Sequence, residues 1–334
     1  MPGAHTMTLT EEQKQNFLAN GWAHLTGCFT KETADEVTKN VWTRLGMSPS
    51  DQSTWSKVRT NMPSIRAFDS SVLAPKAWSA IAELCGGEDR VHPASKEWRD
   101  SLIVNLGSKS KEGKDVKPWE MDEWHVDGDF FVHYLDSPEQ ALLVVPLWTD
   151  VVEGGGGTWI CPPGMKAVAE HLYSNPDGVS PRMAPRSTPQ FSSGVPFCEG
   201  GSKLGWFNQL ARRIGAEQGM DGFVEVTGKL GDVYLLHPLM LHASSHNPKR
   251  KVRIITNPPV SLRKPFELDR KDKEQYSLVE QGTLKALGVD GGLSGWKTTA
   301  AREKVIPERV RIQEEMKKDE MNRMEEARRA VATA

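Results

Sequence analysis

Three side chains from two distant segments of the chain could together bind one metal ion. His125 and Asp127 are separated by a single valine, and His242 lies far downstream. Two imidazoles and one carboxylate can occupy one side of an octahedral ion and leave its other positions open, which is the ligand set of non-haem Fe(II) oxygenases. Arg253 follows His242, and its guanidinium would suit a dicarboxylate cosubstrate. These residues predict an enzyme that uses O2 to oxidise an organic molecule.

His125 and Asp127 open a segment, Trp124 to Tyr134, whose pattern predicts a strand. Residues two apart on a strand face the same side, so these two side chains can bind one ion, with Asp129 further along that face. Asp129 is expected either to orient a water at the metal or contact the substrate, or to make an ordinary structural hydrogen bond. Trp159 is a candidate for the wall of a substrate cavity.

Three histidines compete to be the third metal ligand: His237, His242 and His246. The run from Gly231 to Pro238 has the pattern of a strand followed by a turn, which places His242 at the start of the stretch that returns toward Arg253. His237 is otherwise a packed histidine before a proline, and His246 a loop side chain. The pattern favours His242.

The bulk properties of the chain fit one elaborated globular domain. It has 334 residues, 38% of them hydrophobic, and a formal net charge of −2. This charge gives no general attraction to nucleic acid or to an anionic membrane. The N-terminus lacks the pattern of a signal peptide, and no run approaches the roughly 18 apolar residues of a membrane span. We therefore expect a cytoplasmic protein that acts on a small-molecule substrate.

Short apolar runs separated by turn residues, without alternating helices, predict a mainly β fold with flanking helices. Thr10 and Gln13 form a possible capping box at the start of the first helix, which Gly21 should end. The predicted helices span residues 11–20, 31–45, 77–84, 165–173, 205–217 and 307–334, and residues 47–75 look irregular. The predicted strands span residues 22–25, 101–106, 124–134, 141–149, 157–161, 222–227, 232–237 and 252–260.

The domain organisation follows from these elements. Residues 1–300 are predicted to form a single catalytic domain, with an insertion at 162–221 that acts as a lid or is a surface embellishment. Residues 301–334 carry a charged C-terminal helix with a weak apolar stripe. This helix is expected to dock on the domain or to form a homodimer.

Four stretches between residues 9 and 260 share the motifs of one enzyme family. They are Leu9 to Gln13 continuing to Asn20-Gly21-Trp22 and Gly27-Cys28-Phe29; His125-Val126-Asp127; Glu153 to Gly164; and Gly231-Asp232-Val233 continuing to His242 to Asn247 and Arg253. In these stretches the chain resembles the phytanoyl-CoA dioxygenase (PhyH-like) family of Fe(II)/2-oxoglutarate oxygenases.

The resemblance implies a double-stranded β-helix, a jelly-roll or cupin-like core whose open end holds Fe(II). It also implies that Arg253 pairs with the distal carboxylate of 2-oxoglutarate, and that O2 is the second cosubstrate. Succinate and CO2 would be the co-products, and hydroxylation of a C–H bond the default outcome. Desaturation, epoxidation and ring formation use the same chemistry and stay open.

Two other classes of function fit the same residues. Two histidines and an aspartate also bind Zn²⁺, which would give a hydrolase or lyase that works through metal-activated water. Alternatively, the histidines are structural and the chain is a non-catalytic barrel that binds a ligand. The sequence does not select a substrate.

Overall fold

The computed structural model describes residues 8–193 and 204–333. Its helices in this part of the chain are α1 (Glu11–Asn20), α2 (Lys31–Thr38), α3 (Val41–Leu45), α4 (Ser70–Leu73), α5 (Pro75–Cys85), α6 (Gly164–Ser174), α7 (Gln190–Ser193), α8 (Trp206–Gln218), α9 (Leu278–Ala286) and α10 (Arg309–Ala332). Its strands are β1 (Trp22–Leu25), β2 (Arg59–Asn61), β3 (Ala67–Asp69), β4 (Glu97–Arg99), β5 (Ile103–Asn105), β6 (Leu142–Pro146), β7 (Thr158–Cys161), β8 (Val224–Glu225), β9 (Val233–Leu236), β10 (Leu241–Ser244), β11 (Arg253–Ile255) and β12 (Pro259–Val260).

Strands from three sheets line the cavity that His125 and His242 also line. The largest has the order β1-β9-β6-β12, and two three-stranded sheets have the orders β10-β7-β8 and β11-β5-β2. Every strand pairing among them is antiparallel, as the sequence predicted. More residues lie in helices than in strands, so the expectation of a mainly β chain understated the helices.

The three sheets share one apolar interior. A buried cluster joins Leu143 and Val145 of β6, Ile160 of β7 and Ile255 of β11, with Ile103 of β5 packed against it. Side chains on alternate positions of the four-stranded sheet, such as Val144 and Leu235, belong instead to the larger core that includes the helices. This alternation lets the sheet bury both of its faces.

Local signals placed the first helix and its ends correctly. The Thr10 hydroxyl accepts a hydrogen bond from the backbone N–H of Gln13, and the Gln13 side chain accepts one from the backbone N–H of Thr10. Gly21 ends α1 in the left-handed conformation, with a φ of +74°. A Cβ at this position would lie 2.1 Å from the sulfur of Met165, so glycine is also required for packing.

Two predictions about the N-terminal half were wrong. The helix predicted over 31–45 is divided between α2 and α3, because the chain leaves helical geometry at Asn40, which has a φ of −105° and a ψ of 5°. The stretch 47–75, predicted to be irregular, contains β2 and β3. β2 is only three residues long and has no strong apolar alternation, so its pairing with β5 is decided by the neighbouring strand.

The strand predicted over Trp124 to Tyr134 is also wrong. This segment makes only isolated bridges, at His125, Phe131 and His133. Gly128 interrupts it with a φ of +120°, and a Cβ there would lie 2.5 Å from the ring of Phe131. The His133 ring nitrogen Nε2 donates to the carbonyl of Gly128 and holds this turn. The other strands predicted downstream of it are present but shorter, and the one over 252–260 is divided into β11 and β12.

The C-terminal helix docks on the N-terminal part of its own chain. Arg44 of α3 is buried and pairs with two carboxylates, Glu320 of α10 at 2.8 Å and Asp100 at 3.0 Å. Arg323 of α10 also donates to the carbonyl of Arg44. A buried ion pair whose partners are all hydrogen bonded fixes geometry, whatever its net contribution to stability.

Within residues 8–193 and 204–333, no helix combines the length and the apolar character needed to cross a membrane.

Candidate metal centre

A two-residue backbone pairing brings the first and third predicted ligands together. The N–H of His125 donates to the carbonyl of His242 at 3.0 Å, and the N–H of His242 donates to the carbonyl of His125 at 2.9 Å. This is the hydrogen-bonded pair of an antiparallel ladder, in which opposite side chains leave on the same side. The two imidazole rings consequently lie 4.3 Å apart between centroids.

Each imidazole is oriented by the backbone two residues before it. Nδ1 of His125 lies 2.7 Å from the carbonyl oxygen of Glu123, and Nδ1 of His242 lies 3.0 Å from that of Met240. A carbonyl oxygen only accepts, so each Nδ1 carries the hydrogen and each neutral ring offers Nε2 as a metal ligand. Glu123 adopts a φ of +66°, which is uncommon for a residue with a side chain and turns its carbonyl toward the ring.

Asp127 completes the group. Its Oδ1 lies 3.5 Å from Nε2 of both His125 and His242. The three ligand atoms lie within 4.8 Å of one another, a spacing at which they could hold one metal ion. The His125 side chain keeps 45% of its surface exposed, whereas that of His242 keeps 8%. The group is therefore open on the His125 side.

The electrostatics of the three groups are those of a site that favours a cation. Burial alone would raise the pKa of Asp127, but hydrogen bonds and attraction from the two imidazoles hold it well below its usual value. Desolvation alone would lower the pKa of His125, but Asp127 raises it above 6.5. Asp127 is thus ionised, and its negative charge attracts either a proton on His125 or a metal ion.

The two competing histidines lie outside this group. His237 is fully buried, and its Nε2 contacts the carbonyl of Val279 and the hydroxyl of Thr283 beneath α9. His246 lies four residues beyond His242 and is partly exposed. The preference for His242 as the third member of the cluster agrees with the geometry.

His237 provides a test of the fold through pH. Burial lowers its pKa to about 4 in the folded chain, whereas an unfolded histidine titrates near 6.5. Between these values only the unfolded chain takes up the proton, so stability present above pH 6.5 is lost as the pH falls toward 4. We expect His237→Gln to remove about 3 kcal/mol of this pH-dependent loss.

The free energy of unfolding of the wild type and of His237→Gln is measured by urea unfolding at a series of pH values between 7 and 4. The same substitution at His92, an exposed histidine, is the control. An unchanged slope of unfolding free energy against pH in the His237 variant would show that this ring is not buried in its neutral form.

Arg253 is buried, and no carboxylate of residues 8–193 or 204–333 forms an ion pair with it. It is 0% exposed, and its Nε donates to the carbonyl of Gly156 at 2.6 Å. Its Nη2 is inaccessible and has no hydrogen-bond partner in the described structure. Burial, with repulsion from Arg59, lowers the pKa of Arg253 to about 9. An unsatisfied buried guanidinium is costly, and a bound carboxylate would satisfy it.

An inner cavity connects the strand of Arg253 to the metal ligands. Ile255 of β11 pairs with Ile103 of β5. Two residues earlier on β11, and therefore on the same face of the sheet, Arg253 pairs with Asn105, which pairs with Arg59 of β2 on its other side. The cavity has a volume of about 120 Å³ and is lined by Ile103, Ile255 and Arg59 from this sheet, Leu143 and Val145 from β6, and both histidines of the cluster.

No protein-family model and no curated protein sequence matches the chain. Several solved structures are similar to it at a distance. HygX from Streptomyces hygroscopicus, with nickel and 2-oxoglutarate bound, has a TM-score of 0.42 and 11% identity over 80% of this chain and 94% of HygX. EctD from S. alaskensis in its apo form has a TM-score of 0.39 and 16% identity over 80% and 84% of the two chains.

A third similar structure is the non-heme alpha ketoglutarate dependent carbocyclase SnoK from nogalamycin biosynthesis. It has a TM-score of 0.38 and 14% identity over 78% of this chain and 87% of SnoK. Similarities this low assign neither a fold nor a reaction to this chain. The residues at the site must do so.

An outer cavity of about 420 Å³ opens on the other side of Asp127. Asp129 lines this cavity, and its carboxylate pairs with Arg309 of α10. Among the described contacts it makes no hydrogen bond to His125, Asp127 or His242. Asp127 and Asp129 line the same cavity, and the contact that Asp129 makes is an ion pair with Arg309, which corresponds to the structural alternative that the sequence left open.

Trp159 lies elsewhere. On β7, Thr158 lines the inner cavity, and Trp159 points from the opposite face into a separate cavity that also contains Glu225 and Lys249. The residues that line the inner and outer cavities include none of the described part of the 162–221 insertion. Residues 194–203 of that insertion lie outside the described residues.

The sequence interpretation missed a residue that contacts Asp127 directly. The side-chain amide of Asn257 donates to Oδ2 of Asp127 at 3.2 Å, on the side away from the two imidazoles. This bond leaves Oδ1 to face Nε2 of both histidines. The only sequence signal was the alternation of Arg253, Ile255 and Asn257, which places Asn257 on the inner face if β11 is extended past its end.

We expect Asn257→Ala to weaken binding of Co(II) by about tenfold, because partners that orient a metal ligand typically contribute ~10–100-fold in affinity. Titration of the metal-free protein, followed by the visible absorption of Co(II), measures this. Asn61→Ala is the matched control, because Asn61 lines the same two cavities without a hydrogen bond to Asp127. Equal affinities for the two variants would contradict the role given to Asn257.

Proposed function

We propose that this chain is an Fe(II)- and 2-oxoglutarate-dependent oxygenase of the PhyH-like kind, which hydroxylates a C–H bond of a small organic molecule. Three features support the proposal. His125, Asp127 and His242 provide a set of three donors with an open side. An inner cavity with both apolar and polar lining residues lies beside them, and a buried cation lies on the sheet that lines this cavity.

The observation that carries the proposal is the unpartnered Nη2 of Arg253. The ligand set of a zinc hydrolase, three protein ligands and a water, does not by itself account for a buried guanidinium on the same sheet. A purely structural role for the histidines would leave the unsatisfied Nη2 unexplained as well. A dicarboxylate that reaches from the metal to Arg253 accounts for both features together.

The residues that would hold the metal and cosubstrate fit them chemically. Bound Fe(II), 2-oxoglutarate and O2 supply the oxidation, in which the keto acid loses CO2 to become succinate while a C–H bond of the substrate is oxidised. Arg253 would hold the distal carboxylate, with Nη2 as the donor that has no partner in the described structure. Leu143, Val145 and Ile103 line the inner cavity, and their apolar side chains would strengthen that ion pair by reducing the water around it.

We also propose that the three sheets form a double-stranded β-helix within a single catalytic domain over residues 1–300. The apolar cluster shared by β6, β7 and β11 supports this arrangement, because a jelly roll buries such side chains between two facing layers.

Anaerobic titration tests the proposed function. Fe(II) is added to the metal-free protein, 2-oxoglutarate is added next, and the visible spectrum is recorded. An oxygenase should develop a metal-to-ligand absorption band only when both are present. Absence of the band, together with Zn²⁺-dependent hydrolysis of an ester or amide, would favour the hydrolase.

A further inference from the structure

The C-terminal helix reaches the metal site from the far end of the chain. Arg309, its first residue, pairs with Asp129 through Nε and Nη2, and the second of these contacts is 2.6 Å long. Both carboxylate oxygens are used, which is the geometry that gives guanidinium pairs their specificity. Arg309 and Gln313, one turn later, both line the outer cavity beside Asp127.

The chain leading into this helix is also joined to the metal-ligand segment. The N–H of Val132 donates to the carbonyl of Glu303 at 3.0 Å, and the N–H of Val305 donates to the carbonyl of Phe130 at 2.8 Å. These two bonds form a short antiparallel seam directly after Asp127 and Asp129. The position of Arg309 is therefore set by the backbone as well as by its ion pair.

The middle of the helix is attached to segments whose neighbouring residues line the same cavity. Glu320 and Asp100 share the buried guanidinium of Arg44, which also donates to the carbonyl of Pro63. The residues next to these partners, Ser101 and Met62, line the outer cavity. The helix therefore lines the cavity with its first turn and is held by buried ion pairs further along.

We propose that α10 is a wall of the substrate site and that Arg309, held by Asp129, is a specificity-determining residue for the oxygenation reaction. This inference rests on the proposed function. The cavity wall indicates the substrate class, because beside apolar residues such as Met62 and Phe130 it carries five neutral polar residues: Asn61, Ser101, Gln140, Asn257 and Gln313.

The substrate is accordingly a compact polar molecule rather than a long-chain acyl-CoA. Arg309 is the one lysine or arginine among the described residues that line the outer cavity. Its positive charge is already neutralised by Asp129. The phosphates of coenzyme A would need cations that are not already paired. A volume of about 420 Å³ suits a small ligand.

The first test does not need the substrate. Hydrogen exchange at the amides of Val132 and Val305 is compared in the wild type, Arg309→Met and Arg311→Met. Arg311 is the matched control, because its ion pairs are with Glu308 and Glu315 on its own helix turn. We expect exchange about tenfold faster in Arg309→Met and unchanged in Arg311→Met. Unchanged amide exchange in Arg309→Met would contradict the proposal that Arg309 holds α10 against the outer cavity.

The second test follows succinate release in the presence of a water-soluble metabolite extract or of palmitoyl-CoA. We expect the extract to stimulate the wild type and Arg311→Met, and Arg309→Met to need about tenfold more extract for the same stimulation. The substrate-free Fe(II)/2-oxoglutarate absorption band should stay unchanged in all three proteins. A reversed pair, Asp129→Arg with Arg309→Asp, should restore the seam if the ion pair holds it.

The outcomes separate the two proposals. If palmitoyl-CoA stimulated succinate release and the extract did not, or if neither did, the proposed substrate class would be wrong. An absorption band in the same protein would still support the proposed oxygenase. Equal stimulation of Arg309→Met and the wild type by the extract would overturn the role of Arg309. Loss of the band in the wild type would overturn the proposed function itself.

Discussion

Replacing Arg253 with methionine should weaken binding of 2-oxoglutarate on the order of a hundredfold, because a hydrogen bond to a charged group contributes ~1.5–3 kcal/mol and each ~1.4 kcal/mol is tenfold. Methionine fills similar space and removes a buried cation whose Nη2 lacks a hydrogen-bond partner in the described structure. The variant should fold and bind Co(II) as the wild type does. Anaerobic titration of the Fe(II) protein, followed by its absorption band, gives the affinity.

A keto acid without the distal carboxylate makes this test specific. The wild type should bind 2-oxoglutarate much more tightly than 2-oxovalerate, and Arg253→Met should bind the two about equally. Lys251→Met is the matched control, since Lys251 lies two residues before Arg253 but is exposed. Retained discrimination between the two acids in Arg253→Met would remove Arg253 from the cosubstrate site.

The second large effect is expected at Asp127. Asp127→Ala should weaken Co(II) binding by at least about a hundredfold, beyond the ~10–100-fold typical of residues that only orient a ligand. The same substitution should lower the pKa of His125 in the metal-free protein, because Asp127 is what raises it. Metal titration and NMR titration of the imidazole measure the two effects independently.

Asp122→Ala is the control for this experiment, because Asp122 is an exposed carboxylate in the same segment. If Asp127→Ala bound Co(II) as tightly as the control does, the ion would have to bind elsewhere. If the pKa of His125 stayed high without Asp127, another anion would have to be the cause.

Sequence patterns predicted local features most accurately. The capping box of Thr10 and Gln13 and the terminating Gly21 depend on neighbouring residues, and α1 has the expected bounds. The failures occurred where distant segments decide the conformation. Residues 124–134 have the composition of a strand, but the turn at Gly128 and the rings packed against it prevent a continuous ladder.

The same distinction separates the residues of the candidate site. His125, Asp127 and His242 were selected by their chemical types and by the predicted strands around them, and the structure places them together. Asn257 could not be identified, because nothing local indicates that its amide reaches a carboxylate 130 residues away. For Asp129 the sequence left open a role near the metal or substrate and an ordinary structural contact, and its pairing with Arg309 could not be predicted from neighbouring residues.

The sequence by itself determined the available donors, a carboxylate two residues from one imidazole, a second imidazole and an arginine beyond it, since these are properties of residue type and spacing. Only the tertiary structure decided that His237 is enclosed beneath α9, that Arg253 is buried without a counter-ion, and that Asp129 pairs with Arg309, 180 residues away. The physical reason is that burial and ion pairing depend on which segments meet in space. Patterns of neighbouring residues do not predict these contacts between distant segments.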